Sequence, residues 1–202
     1  MKRLSNQIKI FLRTFFYLCA IVVVGCQSFS PGQSTIQTTN NSTTREYHQK
    51  FETALAALKA ENFDSAEELF IILAKEVPNK AGPVANLGLI RFIRNKQSEA
   101  RNFLEKAIKI DPNIPQAHNL LGLISIDERK IIEAEQYLKK AIELKEGYSN
   151  AHFNLALLYE VYLQDNYNAA KHYKKYLETA GAEDSNTADW LSGIESAIEQ
   201  AK

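Results

Sequence analysis

Between Ala81 and Tyr148 the chain repeats itself. At a spacing of 34 residues, Leu87-Gly88-Leu89-Ile90 falls on Leu121-Gly122-Leu123-Ile124, Ala100 on Ala134, Leu104 on Leu138, and Ala107-Ile108 on Ala141-Ile142. A fixed period of this length marks a solenoid, in which each unit buries its apolar face against its neighbours and no single globular core is needed. One period earlier, Ala54-Leu55, Ala66, Phe70 and Pro78 take the places of Gly88-Leu89, Ala100, Leu104 and Pro112. One period later Leu155-Ala156-Leu157 returns on schedule, whereas Ala169, Tyr173 and Tyr176 fit only if one residue is inserted near Gln164 to Asn168.

Each unit holds two helical patterns of about fourteen residues, joined by a short polar turn such as Asn62-Phe63-Asp64 or Asn95-Lys96-Gln97, and this predicts antiparallel helix pairs. Gly88 and Gly122, with Ala54 and Ala156 at the same phase, are small residues in mid-helix. Glycine costs about 1 kcal/mol there relative to alanine, so close helix approach is the expected compensation, with Ala100 and Ala134 answering from the second helix. Pro78 and Pro112 end the second helices of the first two units, because proline cannot continue the hydrogen-bond ladder; the third unit has Glu146-Gly147 there.

The small residue, the alanine twelve on, the large apolar residue four later, then alanine and proline together resemble the tetratricopeptide repeat. The resemblance runs over residues 47 to 183 as four units, 47–80, 81–114, 115–148 and 149–183. The family's usual aromatic at the fourth position is replaced by Lys50, Val84, His118 and His152, and its tyrosine at the eleventh survives only as Tyr159. The resemblance implies an all-α superhelix of helix pairs whose concave face binds peptide segments or helices of partner proteins. It implies no catalysis.

Ahead of the repeats, residues 1–25 combine a basic start, an apolar stretch from Thr14 to Val24, and Gly25 before Cys26, the pattern of a secretory leader. As a helix the stretch spans roughly 17 Å, short of the ~30 Å hydrocarbon core. Val23-Val24-Gly25-Cys26 resembles the lipobox of bacterial lipoproteins, which implies cleavage before Cys26 and its acylation; the alternative is an ordinary cleavable signal that contains a cysteine. More than one acyl chain suffices for firm anchoring. Gln27, in place of an aspartate, implies the inner leaflet of the outer membrane, facing the periplasm. Gln27 to Thr44 carries no charge and reads as a tether, completing a linker over 26–45, with an r.m.s. reach of about 21–25 Å. Cys19 lies in the leader, so the mature chain keeps no thiol for a disulfide. Without the leader's Lys2, Arg3, Lys9 and Arg13, 20 Lys and Arg stand against 24 Asp and Glu, which argues against a nucleic-acid partner.

The resemblance points the second, fifth, ninth and twelfth positions of each first helix into the groove. These include Leu55, Leu58, Ala85, Leu89, Phe92, Asn119, Leu123, Ile126, Phe153 and Leu157, an apolar row that also takes in Phe51 and turns polar at Glu160. The alternative is that tight curvature buries the leucines between repeats. Residues 184–202 carry Trp190, Leu191, Ile194, Ala197 and Ile198 at helical spacing, after a break at Gly181 and a cap at Ser185 or Asn186. This helix either caps the solenoid or binds a partner.

No phosphate loop, nucleophile elbow or zinc-ligand spacing is present, so no catalytic residue, metal, cofactor or small-molecule substrate is expected. The shared phase of His118 and His152 points to packing or a helix surface, and Glu67-Glu68, Asp127-Glu128 and Glu133 read as solvated faces. The expectation is therefore a lipid-anchored scaffold that holds a peptide or helix of an envelope machine. A pilotin-like factor that localises pilus or secretion components is the alternative.

Overall fold

The structure, a computed structural model, describes residues 38–180 and 184–201. The expectations for the leader, for Cys26, for the tether up to residue 37 and for the break at Gly181 lie outside the described residues. All regular structure among the described residues is helical: α1 (Thr38–Lys59), α2 (Phe63–Glu76), α3 (Ala81–Ile93), α4 (Gln97–Ile110), α5 (Pro115–Asp127), α6 (Ile131–Leu144), α7 (Ser149–Leu157) running into a π-helical turn (Leu158–Leu163), α8 (Asn166–Thr179) and α9 (Ser185–Gln200). These are the four expected helix pairs and the terminal helix. The first helix begins at Thr38, so the last eight residues of the expected linker, Thr38 to Arg45, are helical.

The helices fall into two compact units divided between Asp111 and Pro112. In the first, α1 packs on α2, α2 on α3 and α3 on α4. In the second, α5 packs on α6, α6 on α7, α7 on α8 and α8 on α9. The second helices stop where expected: Val77 (φ −133°, ψ 71°) and Asp111 (φ −137°, ψ 107°) leave the helical region just before Pro78 and Pro112. Lys145 turns extended at the same phase (φ −148°) without a proline after it.

The small mid-helix residues mark the closest approach, though their main partners are leucines rather than the alanines expected. A Cβ on Gly88 would lie 2.7 Å from Leu104 Cγ and 2.9 Å from its Cδ2. One on Gly122 would lie at the same two distances from Leu138, with the Ala134 carbonyl oxygen 3.4 Å away. Real Cβ atoms do not sit that close, so only glycine fits beneath a leucine at this phase. Where the small residue is alanine, the residue sixteen or seventeen on is aromatic: Phe70 after Ala54 and Tyr173 after Ala156, all four almost fully buried.

The turn inside each pair is also periodic. Glu61 (φ 57°), Asn95 (φ 58°) and Arg129 (φ 62°) are left-handed residues 34 apart. Each closes a Schellman motif. In the first, the Glu61 amide donates to the Leu58 carbonyl (3.0 Å) and that of Asn62 to Ala57 (2.9 Å). The corresponding outer bonds run from Lys96 to Arg91 (2.9 Å) and from Lys130 to Ser125 (2.8 Å). In the fourth pair the left-handed residue is Gln164 (φ 54°), 35 after Arg129, and the outer bond spans one residue more, from Asp165 to Tyr159 (2.9 Å). The inserted residue is thus absorbed within the first helix, as the π-helical turn Leu158–Leu163, and not in the following turn at Gln164 to Asn168 where spacing had put it.

Asp184, rather than Ser185 or Asn186, caps α9: its carboxylate accepts from the Thr187 amide (3.0 Å) and hydroxyl (2.7 Å). Leu191 and Ile194 are buried against the fold while Trp190 and Ala197 are exposed, so the apolar face of α9 is narrower than its sequence pattern.

Left-handed backbone costs a non-glycine residue roughly 1–2 kcal/mol. Glu61 is exposed to solvent. Glu61→Gly is therefore expected to stabilise the chain by about 0.5–1 kcal/mol, the backbone relief being partly offset by the freer unfolded chain. Urea unfolding measures this as a rise in midpoint; a fall would mean the turn is not left-handed.

Candidate protein-binding faces

In the first unit the groove phase is mostly filled by the fold itself. Leu55, Leu58, Ala85 and Leu89 are all buried, and only Phe92, near the end of α3, is half-exposed. Phe51 is buried too, between Tyr47 (rings stacked, 5.7 Å) and Phe70 (edge-on, 5.8 Å). Two arginines flanking Phe92 tie α3 back to α2. Arg91 and Arg94 both bond Glu67, the latter at 2.6 Å; Arg94 also bonds Asp64, and Arg91 Nε lies 2.9 Å from Glu99. Glu67 is thus a partly buried tie between helices rather than the solvated side chain expected.

The second unit shows the same division. Asn119, Leu123 and Phe153 are buried, while Ile126, Leu157 and Glu160 are half-exposed. Asn119 is no free polar group: its Oδ1 accepts from Asn154 Nδ2 at 2.8 Å, joining α5 to α7. Phe153 packs between Tyr173 (5.8 Å) and Tyr176 (5.0 Å). Ser125 donates to Glu133 (2.7 Å) across the α5–α6 pair, which removes Glu133 from the solvated set as well. Leu55, Leu58, Leu89 and Leu123 are therefore buried, and the accessible members of the row are Phe92, Ile126, Leu157 and Glu160.

Glu160 closes that row. Its Oε2 accepts from the Tyr173 hydroxyl (2.9 Å), and Trp190 Nε1 donates to both carboxylate oxygens at 2.9 Å. The burial of Tyr173, with the Glu160 charge beside it, pushes its hydroxyl pKa up. Sequence spacing gave no hint of this junction, because Trp190 lies 30 residues from Glu160 and on another helix.

The two repeat-phased histidines share one structural job. His118 Nε2 donates to the Pro112 carbonyl and His152 Nε2 to the Glu146 carbonyl, both at 2.8 Å, so each satisfies the loop ahead of its helix. With its proton on Nε2, His152 has only a lone pair on Nδ1. That nitrogen lies 3.0 Å from Nδ1 of His172, which must then be the donor. The Tyr159 ring stacks on His172 (5.7 Å) while its hydroxyl donates to Glu135 (2.7 Å). Among the described residues no group of three or more His, Cys, Asp or Glu gathers to hold a metal. No helix among them is long and apolar enough to cross a membrane.

Burial, the neighbouring His152 and the Lys171 and Lys139 charges press the His172 pKa down to about 4, and burial lowers that of His152. A histidine depressed below its unfolded value near 6.5 binds fewer protons folded than unfolded between those two pH values. Its contribution is complete above about pH 6.5 and is lost as pH falls toward 4. His172→Tyr places there the residue type found at the matching phase, Tyr137, and is expected to flatten the fall in melting temperature between pH 7 and pH 4 relative to the parent chain. Parallel curves would mean the pair is charged or open.

Two family models match the chain: one described as TPR repeat over residues 88–125, and one as tetratricopeptide repeat over residues 115–148. A search of curated protein sequences returns no match. Among solved structures the chain is similar to Pseudomonas aeruginosa PilF, with a TM-score of 0.66, 18% identity, and coverage of 81% of this chain and 72% of that one. It is also similar to MamA from Desulfovibrio magneticus RS-1 (TM-score 0.55, 21% identity, 68% and 77% covered). A third is the first TPR of Spaghetti (RPAP3) bound to an HSP90 peptide (TM-score 0.54, 23% identity, 59% and 94% covered). At these identities the likeness is one of fold. Residues 88–148 thus match tetratricopeptide-repeat models, and the helix pairs of the described residues have a tetratricopeptide-like fold.

Proposed function

We propose that this protein is a non-catalytic adaptor, lipid-anchored through Cys26 to the inner leaflet of the outer membrane, that holds an apolar or amphipathic segment of a cell-envelope complex in the periplasm. Tetratricopeptide repeats are generally protein-interaction scaffolds, and the RPAP3 neighbour is seen with a bound peptide. The observation that carries the reading here is the half-exposure of Phe92 in the first unit and of Ile126 and Leu157 in the second, at a phase whose remaining apolar members are buried. The anchor rests on Val23-Val24-Gly25-Cys26 and the neutral stretch after it. The likeness to PilF is one of fold, so the pilotin-like role stays the alternative reading.

Fully burying an aliphatic side chain contributes about 1.5–3 kcal/mol, so Ile126 and Leu157 together supply at most about 3–6 kcal/mol. Micromolar binding needs about 8 kcal/mol net, after association costs. The second unit's apolar contacts alone thus bind weakly, and a membrane anchor, by raising the effective concentration, makes such contacts sufficient.

Two outcomes follow. Mass spectrometry of the purified N-terminus should find an acylated Cys26, and Cys26→Ser should release the repeats into the soluble periplasm; an unmodified cysteine or a retained leader contradicts the anchor. Ile126→Glu with Leu157→Glu should keep the helical circular dichroism of the parent and lose crosslinks to the envelope partner, since both side chains already reach solvent. Unchanged crosslinks would place binding elsewhere. The same change at buried Leu89 or Leu123 should instead unfold the repeats.

A further inference from the structure

The end of the second unit's half-exposed row carries more than apolar surface. Trp190 is the chain's single tryptophan, and it keeps 43% of its surface exposed although it sits at the junction of α9 with the π-helical turn. Its polar edge is already committed, because Nε1 donates to both oxygens of Glu160 at 2.9 Å. What remains accessible is ring carbon, held in one orientation by those bonds and so presented at little further entropy cost. Tryptophan is among the side chains enriched at the energetic hot spots of protein interfaces.

The charges that the terminal helix itself carries have one sign. Over Ser185–Gln200, α9 contains Asp189, Glu195 and Glu199 and no lysine or arginine. Lys174 of α8 pairs with Glu195. Glu160 itself, with two donors on a group that offers about four acceptor positions, retains capacity for another. An indole face beside an ionised carboxylate suits a cation: the ring quadrupole attracts it and the carboxylate bonds it. Leu157 stands three residues before Glu160 on the same run of helix, so the cation's neighbours would meet an aliphatic surface. Gly193, three residues after Trp190, leaves open space where a Cβ would be, which lets a chain lie close to α9.

We propose that the Trp190–Glu160 pair is the specificity point of the second unit's binding face, and that it takes a lysine or arginine flanked by apolar residues on a segment of the partner protein. This rests on the adaptor reading above and names the chemistry of its ligand. The π-helical turn then has a use, since it carries Glu160 to where Tyr173 and Trp190 both reach it.

The test pans the full chain, with Cys26→Ser to keep it soluble, against a displayed library of random dodecapeptides, and then titrates the enriched peptides while following tryptophan emission. The enriched sequences should pair a lysine or arginine with aliphatic or aromatic residues within four positions, and their binding should change the emission of Trp190. Replacing the peptide's lysine by norleucine, or making Glu160→Gln in the protein, should each weaken binding by about tenfold, and Trp190→Phe, which removes the emission, should show the same loss by isothermal titration calorimetry. Glu160→Gln still accepts from Tyr173 and Trp190, so the fold is kept. Binders without a basic residue, a basic peptide that binds Glu160→Gln as well as the parent, or a library that yields no binder would overturn the proposal. If Glu160→Gln has no effect while Leu157→Glu abolishes binding, this pair is wrong and the apolar face stands. If neither matters, both fall.

Discussion

Each helix pair depends on how closely two helices approach at one small residue. Gly88 lies under Leu104 and Gly122 under Leu138, with room for a hydrogen and none for a methyl group. Leucine branches at Cγ, the very atom an added Cβ would strike. Phe70 and Tyr173 instead keep their bulk in a plane, and the residues at the matching phase, Ala54 and Ala156, carry a Cβ. The choice between glycine and alanine thus follows the shape of the side chain that covers it. The burial of Ala66, Ala100, Ala134 and Ala169 at 0% exposure completes the contact from the second helix. A mid-helix glycine, unfavourable by itself, is tolerated because the pair as a whole gains more by close packing than one residue loses.

From that contact follows what the first helices can offer a partner. Of the ninth-position leucines, Leu55, Leu89 and Leu123 are core and Leu157 is half-exposed. At the groove phase, apolar surface survives at Phe92, Ile126 and Leu157, all half-exposed. Polar ties flank this surface. Arg91 and Arg94 hold Glu67 beside Phe92, and Glu160 holds Tyr173 and Trp190 beyond Leu157. A recognition surface whose apolar members are few and whose polar members are already oriented gains specificity from geometry more than from area.

The period made the fold legible before any coordinate: helix number, helix ends at Pro78 and Pro112, and the small-residue phase all follow from residues at fixed spacing. The extra residue of the fourth unit was legible as a count but not as a place. Spacing between Ala156 and Ala169 shows that one residue is added without saying whether a turn lengthens or a helix widens, and the Asp165 to Tyr159 bond decides for the helix. The groove was legible as a set of positions, but its exposure was not, because burial depends on how neighbouring pairs close over it. Links between residues at unrelated phases left no trace in the sequence at all: Asn119 with Asn154, His152 with His172, and Glu160 with Trp190. A hydrogen-bonded pair needs only two compatible groups at the right place in space, and many positions carry such groups.

The close contact itself can be measured as a change of sign. Alanine is the better helix former by about 1 kcal/mol, so Gly122→Ala should stabilise the chain wherever the added methyl group finds room. With Leu138 in place it finds none, and the substitution should lower the midpoint of urea unfolding; in the Leu138→Ala background, where the covering side chain is gone, the same substitution should raise it. A shift of the same sign in both backgrounds would contradict the account, because Gly122 and Leu138 would then not be sharing the space between their helices.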